Sequence, residues 1–322
     1  MKGTLLDAMS MKVPFTAFDG FSGVILVTRG EETLVEQAHG HAHLAYGVEN
    51  TVGTRFAIAS GAKGFTALVV AGLVAEGRLA LETTAREVLG DDLPLIDDGV
   101  TVEHLLTHTS GIGDYCDEEA APPPTPLLAT SADYLAALDG YPQVSPPGKE
   151  FRYNNGAFAV LSLIAERIAG RPFAELVRTR VTEPAGMTDT AFLRSDALPA
   201  RTATGYLEDG RTNVFSLPVV GFGDGGIYST APDFRKFWPA LLDGRIVPRE
   251  WVDRMLRPHT DAYGLGFWLP RPGSVRLVGG DHGVTFWSTH EPSSGLTATL
   301  ISNNHRGGGP LLRQLDEFLT KA

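Results

Sequence analysis

The sequence predicts a mixed α/β (α+β) fold in which one β-sheet is divided along the chain by an inserted helical region. Three observations predict it. Short β-rich runs occupy the N-terminal part, apolar residues recur at helical spacing through the middle, and β-like runs return after about residue 210 before a closing amphipathic segment. The 322 residues, 43 % hydrophobic and 20 % charged, suffice for one large domain or two intimate ones with a sizeable buried core. The expected division is 1–75 with 212–322 for the sheet-containing part and 76–211 for the helical insertion. A cleft between the two is the natural site.

Each element follows from its local pattern. "GVILVTRG" and "TLVEQAHGHAH", separated by a turn-like "GEE", read as an N-terminal hairpin. "FAIASGAKGFTALVVAGLVAEGRL" then supplies a long apolar helix starting near Ser60. "TTAREVLGDDLPL", "TVEHLLTHTSGIGDY", "SADYLAALDGY" and "NNGAFAVLSLIAERIAGRPFAELVRTRV" carry apolar residues mostly at helical spacing and form the inserted layer. Within it "EEAAPPPTPLLATS" is a proline-rich connection, a candidate lid or rim. "VRLVGG", "VTFWSTH" and "LTATLISNN" read as strands, and Leu311, Leu312, Leu315, Phe318 and Leu319 make one stripe of a terminal helix.

Charge and composition narrow the function. With 27 basic and 38 acidic residues the net charge is -11, so nucleic acid and anionic membranes are poor partners and a small molecule is the expected one. The opening "MKGTLLDAMSMKVPFTAFDG" shows neither an apolar h-region nor a small-residue cleavage pattern, and no stretch approaches the roughly 18 apolar residues of a membrane span. The single cysteine, Cys116, excludes an intramolecular disulfide; together these features predict a cytoplasmic protein. Cys116 lies in the acidic stretch "GDYCDEEAAPPP", where carboxylates raise a thiol pKa, so it reads as incidental rather than nucleophilic.

The chemistry begins with "SGAK". Residues i and i+3 share a helix face, so Lys63 can set its ammonium beside the Ser60 hydroxyl. At a helix N-terminus the serine N–H can point at a developing oxyanion, and the same positive end disfavours a charged lysine and fits it for proton transfer. The plainer alternative makes Ser60 an N-cap and Lys63 a surface residue. "PGKEFRYNNGAF" offers Tyr153 and Asn155 at a helix start: a tyrosine beside cations can act as general base, and an asparagine amide can hold a carbonyl. An aromatic turn anchor with an asparagine cap is the bland alternative. In "LVGGDHGVTFWSTH" the glycines allow close approach of backbone to a ligand, and the N–H after Gly283, that of Val284, is a candidate oxyanion donor.

Together these residues resemble the serine β-lactamase and penicillin-binding superfamily, in particular the class C β-lactamase-like branch with its DD-peptidases, D-aminopeptidases and esterases. Besides S-x-x-K at 60–63 and Y-x-N at 153–155, "LLTHTSGI", "EPAGMTDT", "GGIYSTAPDF" and "YGLGF" match that family's phrases, and the similarity runs from about residue 20 to the end. The resemblance implies a β-lactamase/transpeptidase-like fold, an antiparallel sheet flanked by N- and C-terminal helices with an all-helical subdomain inserted. It implies catalytic roles for Ser60 as acylated nucleophile, Lys63 as its proton partner and Tyr153 as general base. Asn155 would orient the substrate, and the N–H groups of Ser60 and Val284 would form the oxyanion hole. No metal or cofactor is called for; the partner is a small ester, amide or lactam.

Where the family shows Lys-Thr-Gly or His-x-Gly, this chain aligns Asp281, His282 and Gly283. An aspartate in the first position repels a substrate carboxylate by about 1 kcal/mol or more at contact distance. A register shifted by one puts His282 there instead. The expected activity is therefore an esterase or amidase on a neutral or cationic compound, with true β-lactamase or DD-peptidase activity and a catalytically silent binding protein as the alternatives. Two rivals fall on spacing. No G-x-S-x-G of an α/β-hydrolase exists in the chain. His39, His41 and His43 alternate as zinc ligands can but suit a solvent-facing hairpin, and Glu103 precedes rather than follows His104, so His104 and His108 are not H-E-x-x-H. His108 is expected to bond the turn at "TSGI".

Overall fold

Alternation in the first strands builds the frame of the protein, seen here in a computed structural model that describes residues 20–116, 127–260, 262–305 and 308–321. Strands β1 (Gly23–Arg29) and β2 (Glu32–His39) form the expected antiparallel hairpin. They are followed by the short pair β3 (His41–His43) and β4 (Val48–Glu49), by β5 (Phe56–Ala57) and by helix α1 (Ala62–Ala75). The helical stretch comprises α2 (Ala85–Leu89), α3 (Val102–Leu106), α4 (Ser131–Leu138), α5 (Asn155–Ala169), α6 (Phe173–Val177), a π-helical turn over Arg178–Thr182 and α7 (Glu183–Ala185). Strands β6 (Ala191–Phe192) and β7 (Ile227–Ser229), helices α8 (Ala231–Leu242) and α9 (Arg249–Met255), strands β8 (Val275–Asp281), β9 (Val284–Glu291) and β10 (Leu296–Ser302), and helix α10 (Gly308–Lys321) complete the order.

The main sheet runs β2-β1-β10-β9-β8, all antiparallel, so the two ends of the chain meet along β1 and β10, with Gly23 opposite Ser302 and Arg29 opposite Leu296. Strand β1 is apolar on both faces because both are covered. Val24 and Leu26 face the large core with α1 and α8, while Ile25 and Val27 face Leu311, Leu315 and Leu319 of α10. Helix α1 is buried at 62–71 and at Leu73, which explains an apolar sequence with no polar stripe. The proline-rich candidate lid falls on residues 117–126, outside the described residues. A second sheet, β5-β7-β6, pairs Phe56 with Ser229 and Ala57 with Tyr228. It fixes the strand that leads into Ser60.

Helices α8 and α9 lie where the sequence pattern suggested only β-like runs. Pro232 at the first turn and Pro239 inside α8 hide a helical period that buries Phe234, Phe237, Trp238 and Leu241. Thr230 caps α8 by accepting the Asp233 N–H at 3.3 Å, and the Trp238 indole donates to Ser288 Oγ at 2.9 Å, tying α8 to β9.

Two buried histidines make the fold sensitive to acid. Burial pushes His290 down to about 4 and, aided by the charge of Lys63, holds His108 well below 6.5. In the unfolded chain both titrate near 6.5, so between that value and about 4 the unfolded state binds more protons and stability falls as pH falls. The thermal midpoint is expected to drop between pH 7 and pH 5 and to drop less in His290→Gln; equal drops would exclude His290 as a cause.

Candidate active site

The turn that presents Ser60 is shaped by what precedes it. Ile58 donates its N–H to Ile227 O at 2.9 Å, Ala59 takes a positive φ of 43°, and Ala59–Gly61 form a 3-10 turn that leads into α1. A non-glycine residue in that conformation costs about 1–3 kcal/mol and is retained only where neighbours over-determine it. Ser60 makes no capping bond to α1; its hydroxyl instead lies 3.0 Å from Lys63 Nζ. Lys63 is 2 % exposed, so the surface alternative for it is excluded. Its Nζ donates to Ser60 Oγ at 3.0 Å, Asn155 Oδ1 at 2.8 Å and the Asp224 carbonyl at 2.8 Å. Three donors meet three oxygens, which is what makes a buried ammonium tolerable.

Tyr153 and Asn155 arrive from the N-terminus of α5. Asn154 caps the helix by accepting the Ala157 N–H at 2.7 Å, leaving Tyr153 on the extended segment before it and Asn155 as its first residue. The Tyr153 ring lies 5.0 Å from Lys63 Nζ and stacks against Trp268 at 6.2 Å and a 14° interplanar angle. His108, with φ 56°, packs 4.4 Å from the same ring. It does not serve the "TSGI" turn: Nδ1 accepts the Asn154 N–H at 3.1 Å and Nε2 meets the Tyr263 hydroxyl at 3.2 Å. Because an amide N–H only donates, Nδ1 is the bare nitrogen and Nε2–H donates to Tyr263. His104 is spent on the α3 cap, and the run containing His39, His41 and His43 is broken at Gly40, φ 70°, with His39 bonded to Gln37 and His43 packed on Tyr46. Among the described residues no cluster of three or more His, Cys, Asp and Glu side chains is placed to hold a metal ion.

These groups open on a cleft of about 640 Å³. Three residues of its wall or support carried no sequence signal that was read as chemistry: Asp114, Tyr115 and Asp224. Tyr115 donates to Asp224 Oδ2 at 2.6 Å, and burial raises the Asp224 carboxyl against the opposing pull of Lys63. The acid between glycines in "GFGDGG" was the available signal. Cys116 also lines the cleft, and burial, then Asp224 and Asp114, push its thiol well up, in keeping with an incidental role.

The third motif is rearranged relative to expectation. Strand β8 is the sheet edge, and its ladder with β9 closes at Asp281 opposite Val284 with His282 and Gly283 as the turn. A two-residue hairpin closes on a hydrogen-bonded pair, so the Val284 N–H faces Asp281. Arg276 exchanges N–H and C=O bonds with Trp268 on the open side, at 2.9 and 3.1 Å. Backbone groups alternate along a strand, so Gly280, four residues on, also directs its N–H to the open edge. At that edge Gly279 abuts the serine turn: a Cβ there would stand 2.0 Å from Ile58 O and 3.0 Å from Gly61 N. Gly279 thus makes a close backbone approach to the serine turn, while Gly283, φ 67°, is pressed against the Tyr206 backbone. Asp281 and His282 sit at the exposed hairpin tip on the cleft wall, where Asp281 Oδ1 accepts the His282 N–H at 2.7 Å. No lysine or arginine is among the described residues that line the cleft.

Comparison with known proteins agrees with this architecture. The family described as Beta-lactamase matches residues 15–314. A penicillin-binding protein from Bacillus halodurans is 35 % identical, covers 92 % of this chain and 96 % of its own, and superposes with a TM-score of 0.86. The D-amino acid amidase of Ochrobactrum anthropi is 25 % identical over 92 % of this chain and 94 % of its own, with a TM-score of 0.78. The esterase EstB of Burkholderia gladioli is 34 % identical over 196 residues, 57 % of this chain and 49 % of the esterase. On a family match spanning residues 15–314 and a fold shared with relatives along almost their whole length, the chain belongs to the β-lactamase family.

Proposed function

We propose that this chain, a serine hydrolase, cleaves small neutral or cationic esters or amides through an acyl intermediate on Ser60. The observation that carries the reading is the contact of buried Lys63 with Ser60 and Asn155, both of which line the cleft. Ser60 Oγ attacks the substrate carbonyl while Tyr153 takes its proton; the tetrahedral oxyanion is held by the N–H groups of Ser60 and Gly280, the latter in place of Val284. Tyr153 then gives that proton to the leaving group; in the second step it takes a proton from a water that attacks the ester carbonyl and returns it to Ser60 Oγ as the acyl bond breaks, releasing the acid and free Ser60. Lys63, all of whose N–H bonds are donated, holds the serine oxygen and sets its positive charge 5.0 Å from the Tyr153 ring. Asn155 holds Lys63 through Oδ1 and, lining the cleft with a second Nδ2 N–H left over, can also orient a substrate carbonyl.

Substrate charge follows from the wall. Asp224 and Asp281 line the cleft and no lysine or arginine does; burial raises both carboxyls, Lys63 and His282 offset part of their charge, and the negative charge that remains disfavours a substrate carboxylate and favours an ammonium. Among p-nitrophenyl esters of matched size, an amine-bearing acyl group is expected to exceed a carboxylate-bearing one by about tenfold or more in kcat/KM. The relatives include penicillin-binding proteins, so penicillin is the instructive contrast. Turnover of a penicillin above ~10⁴ M⁻¹s⁻¹ would overturn the preference. Incubation with a fluorophosphonate and intact-mass measurement tests the enzyme itself: an adduct is expected, and its absence together with no ester turnover would favour a silent binding protein.

Two finer points belong to the same proposal. The cleft lies between a sheet-containing part, 1–75 with 212–322, and the helical insertion 76–211; in support, all strands of the main sheet come from residues 23–39 and 275–302. A cytoplasmic location is supported by the lone cysteine, and among the described residues no helix is long and apolar enough to cross a membrane.

A further inference from the structure

We propose that Asp114 is a positioning residue for the Ser60–Lys63 pair, acting through the side-chain amide of Asn155; the inference rests on the acyl-serine reading. An asparagine amide can face either way, and only one face accepts from a lysine. At Asn155 both ends are decided. Oδ1 receives the Lys63 ammonium at 2.8 Å, and Nδ2 donates to Asp114 Oδ2 at 3.3 Å. A flipped amide would set its NH₂ against the ammonium and its oxygen against the carboxylate, two repulsive contacts in place of two bonds. The carboxylate is itself held still. Oδ2 accepts the Asn155 N–H at 2.8 Å, and Oδ1 accepts the N–H groups of Gly156 and Cys116, each at 3.1 Å. Two of these donors are the first N–H groups of α5, whose positive end favours an anion. Asp114 therefore anchors α5 through its backbone and locks the Asn155 amide through its side chain. The chain of contacts runs from carboxylate to amide to ammonium to the Ser60 hydroxyl.

A helix-anchoring role alone would act on stability and be indifferent to what Asn155 carries. The two are separated by a double-mutant cycle on the rate of Ser60 acylation by a p-nitrophenyl ester, using Asp114→Asn, Asn155→Ala and the double variant, with thermal midpoints measured alongside. Asp114→Asn keeps one acceptor oxygen, enough for one of the two helix N–H groups, and loses the charge that orients the amide; the thermal midpoint reads the lost helix bond and the cycle reads the amide. It is expected to slow acylation ~30-fold in the native background and by less than about threefold when Asn155 is alanine. Equal slowing in both backgrounds would overturn the proposal and leave only the anchor; so would unchanged acylation in Asp114→Asn. Should Asp114→Asn fail to fold, Asp114→Glu, which keeps the charge and displaces it, enters the same cycle under the same criteria. If the native protein is not acylated at all, the acyl-serine reading has failed rather than this one.

Discussion

Alanine in place of Ser60 is expected to abolish covalent labelling and to lower ester turnover by at least about 10⁴-fold, the scale of loss when a nucleophile is removed from an acyl-transfer site. The effect should be chemical and not structural. Ser60 Oγ contributes one of the three acceptors of Lys63, and Asn155 and Asp224 retain the other two, so the ammonium stays bonded in the variant. The N-cap of α1 is Gly61, so the Ser60 hydroxyl is not the helix cap. The measurement is intact mass after fluorophosphonate treatment beside p-nitrophenyl ester kinetics, with the thermal midpoint as control. An adduct surviving in Ser60→Ala would move the nucleophile elsewhere. Cys116, on the same cleft wall, is the natural suspect, yet its raised thiol makes the reactive thiolate scarce at neutral pH.

Gly279→Ala is expected to cost both stability and activity, whereas its neighbour Gly280→Ala should fold normally. At Gly279 the added methyl would stand 2.0 Å from Ile58 O, a backbone atom one residue before the strained Ala59, so either β8 or the serine turn must move. Overpacking of that kind costs roughly 1–3 kcal/mol. Nothing lies within 4 Å of a Cβ built on Gly280, although its N–H faces the same edge. The pair thus separates crowding of the serine turn from a general intolerance of side chains in β8. Midpoints and kcat for the two variants check it: a Gly279→Ala protein with native stability and turnover would show that β8 does not need to approach Ser60 so closely, and the oxyanion assignment to Gly280 would fall with it.

Much of the site was legible in the sequence because its contacts are short-range along the chain or lie beside a helix start. Lys63 reaches Ser60 across three residues, a helical spacing, and Tyr153 and Asn155 flank the Asn154 cap of α5. The N-terminal hairpin, the three C-terminal strands and the stripe of α10 were legible for the same reason: periods of two and 3.6 are local properties of the chain. Helices α8 and α9 were not; in the first of them Pro239 sits inside the helical period.

What only the tertiary structure decided is which groups meet across long stretches of chain. The Asp224 carbonyl reaches Lys63 from 161 residues away, and Asp114 reaches Asn155 from 41. Neither bond leaves a periodic trace, because a carbonyl belongs to every residue and a single aspartate in a loop fits any solvated turn. The register of β8 was equally hidden. Which of its N–H groups looks toward Ser60 depends on where the hairpin closes, and a slip of one residue exchanges the two edges of the strand. From the residues alone, "SGAK" and "YNN" named the candidate reacting groups; the fold brings Gly279 against the serine turn and directs the Gly280 N–H to the open edge, since hydrogen-bond direction along a strand is set by its neighbours and not by its own side chains.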